Sequence, residues 1–212
     1  MKPTVLVLAG GPDREREISL LSAATIAQGL ADSGRYRADL REIGRLSLDE
    51  LHRLPGDAIF PALHGPWGEG GSVQQLLEAD GRPYVGSGPE ASRGAIDKVF
   101  TKCIAASLGL ACLPTAILRP DEALNPFPFP VVAKPVFEGS TIGLHVCETE
   151  DAWRGAHAAA AGSGIPYMVE PMVRGRELTV GVVDTGRGMR PLPVIEIRPA
   201  DGLYDYQAKY TR

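Results

Sequence analysis

The chain lacks any apolar run near the roughly 20 residues that a membrane span requires. Its one strongly apolar N-terminal stretch, residues 5–9, is followed at once by Gly10-Gly11 and the charged block Asp13-Arg-Glu-Arg-Glu17, so it reads as a first strand and not as a signal peptide. Cysteine is scarce. Cys103, Cys112 and Cys147 have no CxxC spacing and leave one unpaired, which excludes a disulfide framework and suits thiols kept reduced in the cytoplasm. Excess positive charge is also missing: a formal charge of −4 and a pI near 5.6 argue against nucleic acid as a partner. The sequence has no Gly-Lys-Ser/Thr opening a helix and no GxGxxG, so neither a Walker loop nor a dinucleotide fingerprint is present. Internal repeats and low-complexity tracts are absent.

What remains has the composition of a soluble globular enzyme, with 44% hydrophobic and 23% charged residues. At 212 residues the chain suits one large or two small domains. Its 25 glycines and 18 prolines punctuate it into short elements. Residues 5–9, 37–43, 57–63 and 84–86 read as strands, and 13–30 and 72–79 as helices, the first with Ile18, Leu21, Ile26 and Leu30 facing inward. Strand–helix–strand repetition predicts a parallel sheet covered on both faces, with sites beyond the carboxyl ends of its strands. Glu15 and His64 fall there. Beyond Ser87-Gly-Pro89 the spacing of Ile96, Val99, Phe100, Cys103, Ile104 and Leu108 predicts a helix stopped by Gly109. Strands over 115–118, 129–133 and 143–146, a helix over 151–161 ending at Gly162, and a strand over 167–170 predict an antiparallel α+β unit. Residues 178–183 and 192–197 read as a hairpin across Thr185-Gly-Arg-Gly188.

The chemistry concentrates in the loop Glu138-Gly-Ser-Thr-Ile-Gly143, four residues behind Lys134 at the end of an apolar run. Backbone N–H groups, small hydroxyls and a lysine point charge are what a triphosphate needs. Alone, such a loop is equally compatible with a plain structural hairpin. Four further stations stand with it: Gly10-Gly-Pro-Asp-Arg-Glu-Arg-Glu-Ile-Ser19, His64-Gly-Pro-Trp-Gly-Glu-Gly-Gly71, Asp97-Lys98, and Tyr204-Asp-Tyr-Gln-Ala-Lys-Tyr210.

In this order the five stations resemble the D-alanine–D-alanine ligases, enzymes of the ATP-grasp fold, over residue 5 to the end. The resemblance implies an α/β architecture: a Rossmann-like, pre-ATP-grasp parallel sheet over 1–88 that binds substrate, a central α+β ATP-grasp lobe over 89–172, and the beginning of a C-terminal lobe with its lid loop over 173–212. It implies a cytoplasmic enzyme using ATP and D-alanine, with Mg2+ (or Mn2+) and a homodimer in the complete enzyme. Glu15 would hold the ammonium of the first D-alanine, with His64 and Glu69 at that subsite. Lys98 and Lys134 would contact the phosphates beneath the loop carrying Glu138, Gly139 and Ser140. Glu170 would take the adenine amino group, backbone near Val173 the rest of the base, and Glu177 the ribose. Ser140 would bond Tyr210 and Glu15, tying the substrate loop to a mobile lid on which Lys209 reaches phosphate.

The pattern departs from the family at Gly70, where Asp or Asn is usual, at Gln75, where a small residue is usual, and at Pro171, which offers no N–H. The metal carboxylates and the arginine that stabilises the tetrahedral intermediate belong to a part of the family pattern without a match here, so no metal ligand is assigned and the 212-residue chain is expected to be incompetent alone. A D-alanine–D-lactate ligase and a non-catalytic nucleotide-binding fragment remain as alternative readings. A dinucleotide-dependent oxidoreductase rests on residues 5–11 alone.

Overall fold

The computed structural model describes residues 1–119, 121, 124–199 and 209–210. Tyr204, Asp205 and Tyr206 of the C-terminal station lie outside the described residues. The chain divides into two compact units, Met1–Cys112 with Val136–Gly139, and Leu113–Pro135 with the described residues from Ser140 onward.

In the first unit β1 (Thr4–Gly10) is the central strand, followed by α1 (Arg16–Asp32), β2 (Arg37–Ile43), α2 (Leu48–His52) and β3 (Ala58–Pro61). The sheet is parallel in the order β2-β1-β3. Side chains alternate along a strand, so the apolar run of β1 feeds two cores. Leu6 and Leu8 pack with Ile43, Leu51, Ile59, Trp67 and Leu77, while Val5, Val7 and Ala9 pack with Ala23 and Ala62. The helix after β1 begins later than the sequence predicts. Glu15 is its N-cap, and Ser19, Ala23, Ile26 and Leu30 form the inward line. Leu21, expected inside, is 66% exposed, and Leu20 packs in its place. The fourth expected strand shrinks to one parallel bridge between Ile59 and Tyr84.

Two short elements follow β3: α3 (Gly65–Glu69), not foreseen from sequence, and α4 (Ser72–Asp80). The single helix expected around 96–108 is two, α5 (Pro89–Ile96) and α6 (Lys98–Ser107). Asp97 makes the break, because its carboxylate accepts from the backbone N–H of Val99 and Phe100, both at 2.9 Å, and restarts the helix as an N-cap. Gly109, at φ +77, follows the end of α6, where sequence places the stop.

The second unit holds β4 (Ala116–Leu118), β5 (Val131–Pro135), β6 (His145–Cys147), α7 (Glu150–Ser163) and β7 (Tyr167–Pro171). These strands form the antiparallel sheet that the sequence predicts, in the order β4-β7-β5-β6. Val131, Ala133, Cys147 and Val169 pack with Trp153 and Ala156 of α7. The alternate residues Val132, Lys134, Met168 and Glu170 therefore share the opposite face. Farther on, β8 (Glu177–Thr179) pairs with β11 (Ile195–Ile197), and β9 (Val182–Asp184) with β10 (Met189–Pro191). The expected hairpin is thus present as two short ladders. Among the described residues, no helix is long and apolar enough to cross a membrane.

Candidate functional site

In the first unit, the turn after β1 is fixed from several sides. The Ser19 hydroxyl accepts from Gly10 N–H at 2.8 Å and donates to the Ala62 carbonyl, while Arg16 Nη1 donates to the carbonyls of Gly11 and Ile43, each at 2.9 Å. This brace holds Glu15, which is 3% exposed, at the head of α1. Gly139 lies directly against it: a Cβ there would stand 3.5 Å from Glu15 Oε2 and 3.9 Å from Oε1. Lys98, the first residue of α6, secures the same segment. Its ammonium donates to the carbonyls of Val136, at 3.1 Å, and Glu138, and its backbone N–H also reaches Val136 O, at 3.3 Å. Glu138 and Gly139 are half-buried.

His64 is the N-cap residue of α3, with Nδ1 3.5 Å from Glu69 Oε1 and Nε2 3.4 Å from the Ser22 hydroxyl. Glu69 Oε2 also accepts from Gly65 N–H at 3.0 Å. The Glu69 hydrogen bond and the charges of Glu69 and Glu15 raise the His64 pKa above the ordinary imidazole value, against the lowering effect of burial. Asp13 joins the two stations. Its Oδ2 accepts from the backbone N–H of Trp67, at 2.7 Å, and Gly68, at 3.3 Å, so the Glu15 turn and the His64 loop are one hydrogen-bonded assembly. The departure at Gly70 has a steric reason: a Cβ there would meet the Pro66 carbonyl at 2.2 Å.

In the second unit, Lys134 and Glu170 form an ion pair, Nζ to Oε2, at 2.6 Å. The Lys134 side chain is 26% exposed and that of Glu170 only 7%. Thr115 Oγ1 donates to the other oxygen, Glu170 Oε1, at 2.9 Å. Ser140 and Thr141 have φ values of +48 and +65, a left-handed backbone costly for non-glycine residues. The two hydroxyls engage the two described residues of the C-terminal station: Ser140 Oγ lies 2.8 Å from Tyr210 Oη, and Lys209 Nζ donates to Thr141 Oγ1 at 2.8 Å. Val173 lies just past β7 and Glu177 opens β8, both exposed.

Each unit thus gathers part of the expected set. Glu15, His64, Glu69, Lys98, Glu138 and Gly139 stand in the first, and Lys134, Ser140, Glu170, Lys209 and Tyr210 in the second, with Val173 and Glu177 at its surface. Sequence reasoning assigned no role to Thr115, Thr141 or the capping carboxylate of Asp13. Asp13 carried a local signal, two residues before Glu15 in a turn, whereas Thr115 becomes meaningful only once the strand register is known. Among the described residues no group of three or more His, Cys, Asp or Glu side chains comes together as a metal site. The divalent ion implied by the resemblance therefore finds no ligand set in them.

Residues 117–212 match the family described as D-ala D-ala ligase C-terminus. A D-alanine–D-alanine ligase of Bordetella avium is 40% identical over 208 residues, covering 96% of this chain and 65% of that protein. One from Citrifermentans bemidjiense is 40% identical over 211 residues, covering 99% of this chain and 68% of that protein. The chain thus spans about two thirds of the length of these relatives, 65% and 68%. Among solved structures, D-alanyl-alanine synthetase A of Vibrio cholerae superposes with a TM-score of 0.84 at 29% identity, covering 99% of this chain and 71% of that one. The D-alanine–D-alanine ligase of Bacillus anthracis gives 0.80 at 28% identity, over 97% and 68%. The identity across nearly the whole chain and the matching fold agree with the motif order, and the chain belongs to the D-alanine–D-alanine ligase family.

Proposed function

We propose that this chain supplies the D-alanine and ATP stations of a ligase that joins two D-alanines for peptidoglycan. The γ-phosphoryl of ATP passes to the carboxylate of the first D-alanine, releasing ADP. The amine of the second then attacks the acylphosphate carbonyl, loses a proton and expels phosphate. On this reading residues 1–88 bind substrate, 89–172 form the central nucleotide lobe, and 173–212 begin the lobe that carries the lid.

The observation that carries the reading is the convergence on residues 136–139, where Lys98 grips the chain and Gly139 lies against the buried Glu15 carboxylate. A fixed anion beside a loop rich in backbone N–H groups suits a zwitterion whose ammonium is held while its carboxylate is phosphorylated. Glu15 holds that ammonium, and His64 and Glu69 complete the subsite. Glu138, Gly139 and Ser140 line the phosphates with Lys98 and Lys134. Glu170 takes the adenine amino group, the backbone near Val173 the base, and Glu177 the ribose. Lys209 and Tyr210 close over the reacting groups through Thr141 and Ser140, excluding water from an acylphosphate that hydrolyses readily. The setting is cytoplasmic, and the complete enzyme is a divalent-metal-dependent homodimer.

The test is calorimetric. D-alanine should bind the ATP-loaded 212-residue chain in preference to L-alanine, and Glu15→Gln should abolish the D-alanine heat while leaving the nucleotide isotherm intact. Equal D-alanine binding by a folded Glu15→Gln variant would remove Glu15 from the substrate site.

A further inference from the structure

Resting on the nucleotide reading of Glu170, we infer that Thr115 is a positioning residue that aims the Glu170 carboxylate and so sets the preference for a 6-amino over a 6-oxo purine nucleotide. β4 runs antiparallel to β7 with Ala116 opposite Val169, and one step outward the register brings Thr115 opposite Glu170. On the other side β5 pairs with β7, with Val132 opposite Glu170 and Lys134 opposite Met168. The carboxylate is therefore held from both flanking strands, by the Thr115 hydroxyl on Oε1 at 2.9 Å and by the Lys134 ammonium on Oε2 at 2.6 Å.

The terminal torsion of a glutamate is soft, with a broad well, so its rotation has to be fixed by partners. Lys134 alone does not fix it, because an ammonium on a flexible stem is a near-spherical charge that follows the oxygens. A second donor on the second oxygen removes that freedom. The Thr115 hydroxyl has a competing acceptor in the Leu113 carbonyl, but at 3.4 Å that contact is long, and the single proton belongs to Glu170. Glu170 is 5% exposed, so bulk water is poorly placed to substitute for the hydroxyl.

An ionised carboxylate only accepts. It suits the exocyclic amine of adenine and opposes the carbonyl oxygen of hypoxanthine, which also only accepts. That discrimination depends on an oxygen being aimed at the base edge, and Thr115 supplies the aim without touching the nucleotide.

The experiment compares dissociation constants for ATP and ITP, which differ at the 6-position group and its adjoining ring proton, in the 212-residue chain by calorimetry. Thr115→Val should weaken ATP about tenfold, the loss of one hydrogen bond to a charged group, while ITP changes little, so the ATP:ITP preference falls about tenfold. Thr115→Ser should keep the wild-type preference, and Thr115→Ala should lose it as Thr115→Val does. If Thr115→Val and Thr115→Ala weaken both nucleotides equally and leave the preference intact, Thr115 is a packing residue and the inference fails. If wild type shows no ATP preference, or Glu170→Gln retains it, the parent reading of Glu170 fails and the inference with it.

Discussion

The Lys134–Glu170 pair lends itself to a double-mutant cycle, because both partners are held on neighbouring strands and one of them is nearly dry. Removing one partner of a fully buried pair costs about 3–5 kcal/mol, largely for the stranded charge. Two features lower the expectation here. The lysine side chain is 26% exposed, and Thr115 still serves one oxygen of Glu170. The relevant figure is therefore that of a charge-assisted hydrogen bond, about 1.5–3 kcal/mol for Lys134→Ala in urea unfolding. Glu170→Gln should cost less, since a neutral amide is easier to bury. The double variant should cost clearly less than the sum of the two, with a coupling of about 1–2 kcal/mol, within the range for residues in contact. A coupling below about 0.5 kcal/mol, the usual additivity error for independent sites, would mean that the pair is not formed in solution. On the proposed function the same Lys134→Ala change weakens ATP by about ten- to a hundredfold. Unchanged ATP affinity in the folded variant would separate Lys134 from the nucleotide.

Three other perturbations probe the remaining stations. His64 has a raised pKa, so its contribution to stability is fully present below the unfolded imidazole value of about 6.5 and is lost as pH rises through the higher folded value. Glu69→Gln should bring the His64 titration, followed by NMR, down toward 6.5, and an unshifted curve would rule out the contact as the cause. Gly70→Asn, which installs a residue usual in the family, should destabilise by about 1–3 kcal/mol through the 2.2 Å approach to the Pro66 carbonyl; a wild-type melting curve would contradict that packing. Tyr210→Phe removes the 2.8 Å contact with Ser140 and, on the proposed function, should loosen the choice of D-alanine over D-lactate as second substrate in a competent ligase, an effect read from the dipeptide-to-depsipeptide ratio, which an uninvolved Tyr210 would leave unchanged.

Much of the scaffold was legible from local patterns. The apolar run of β1, buried on both faces, announced a strand of a parallel sheet, and the short apolar runs around a single helix in the second unit announced an antiparallel sheet. What escaped was set by capping and register. Glu15 and Asp13 looked like first-turn carboxylates, but the helix starts after them. The resulting inward line runs through Ser19 and Ala23, small residues with little hydrophobic signal, and puts Leu21 outside. Asp97 looked like a polar face residue within one helix and instead divides two. In the candidate site the motif residues were visible but their partners were not. Lys134 meeting Glu170, and Thr115 meeting the same carboxylate, depend on how three strands align, which no spacing along the chain reveals. The Glu138-Gly-Ser-Thr loop also inverts a simple expectation. The left-handed backbone falls not on Gly139 but on Ser140 and Thr141, residues whose hydroxyls engage Tyr210 and Lys209.

The most direct test of the central claim is product formation by these 212 residues fused to the remaining C-terminal third of the Citrifermentans bemidjiense relative, set beside the 212-residue polypeptide alone. With ATP, magnesium and D-alanine, the folded chimera should release ADP and D-alanyl-D-alanine in equal amounts, read by a coupled assay and mass spectrometry. Glu15→Gln in the same chimera should abolish both products, and the shorter polypeptide should form neither. A folded chimera that makes no dipeptide, or one whose Glu15→Gln variant makes it at the wild-type rate, would contradict the account.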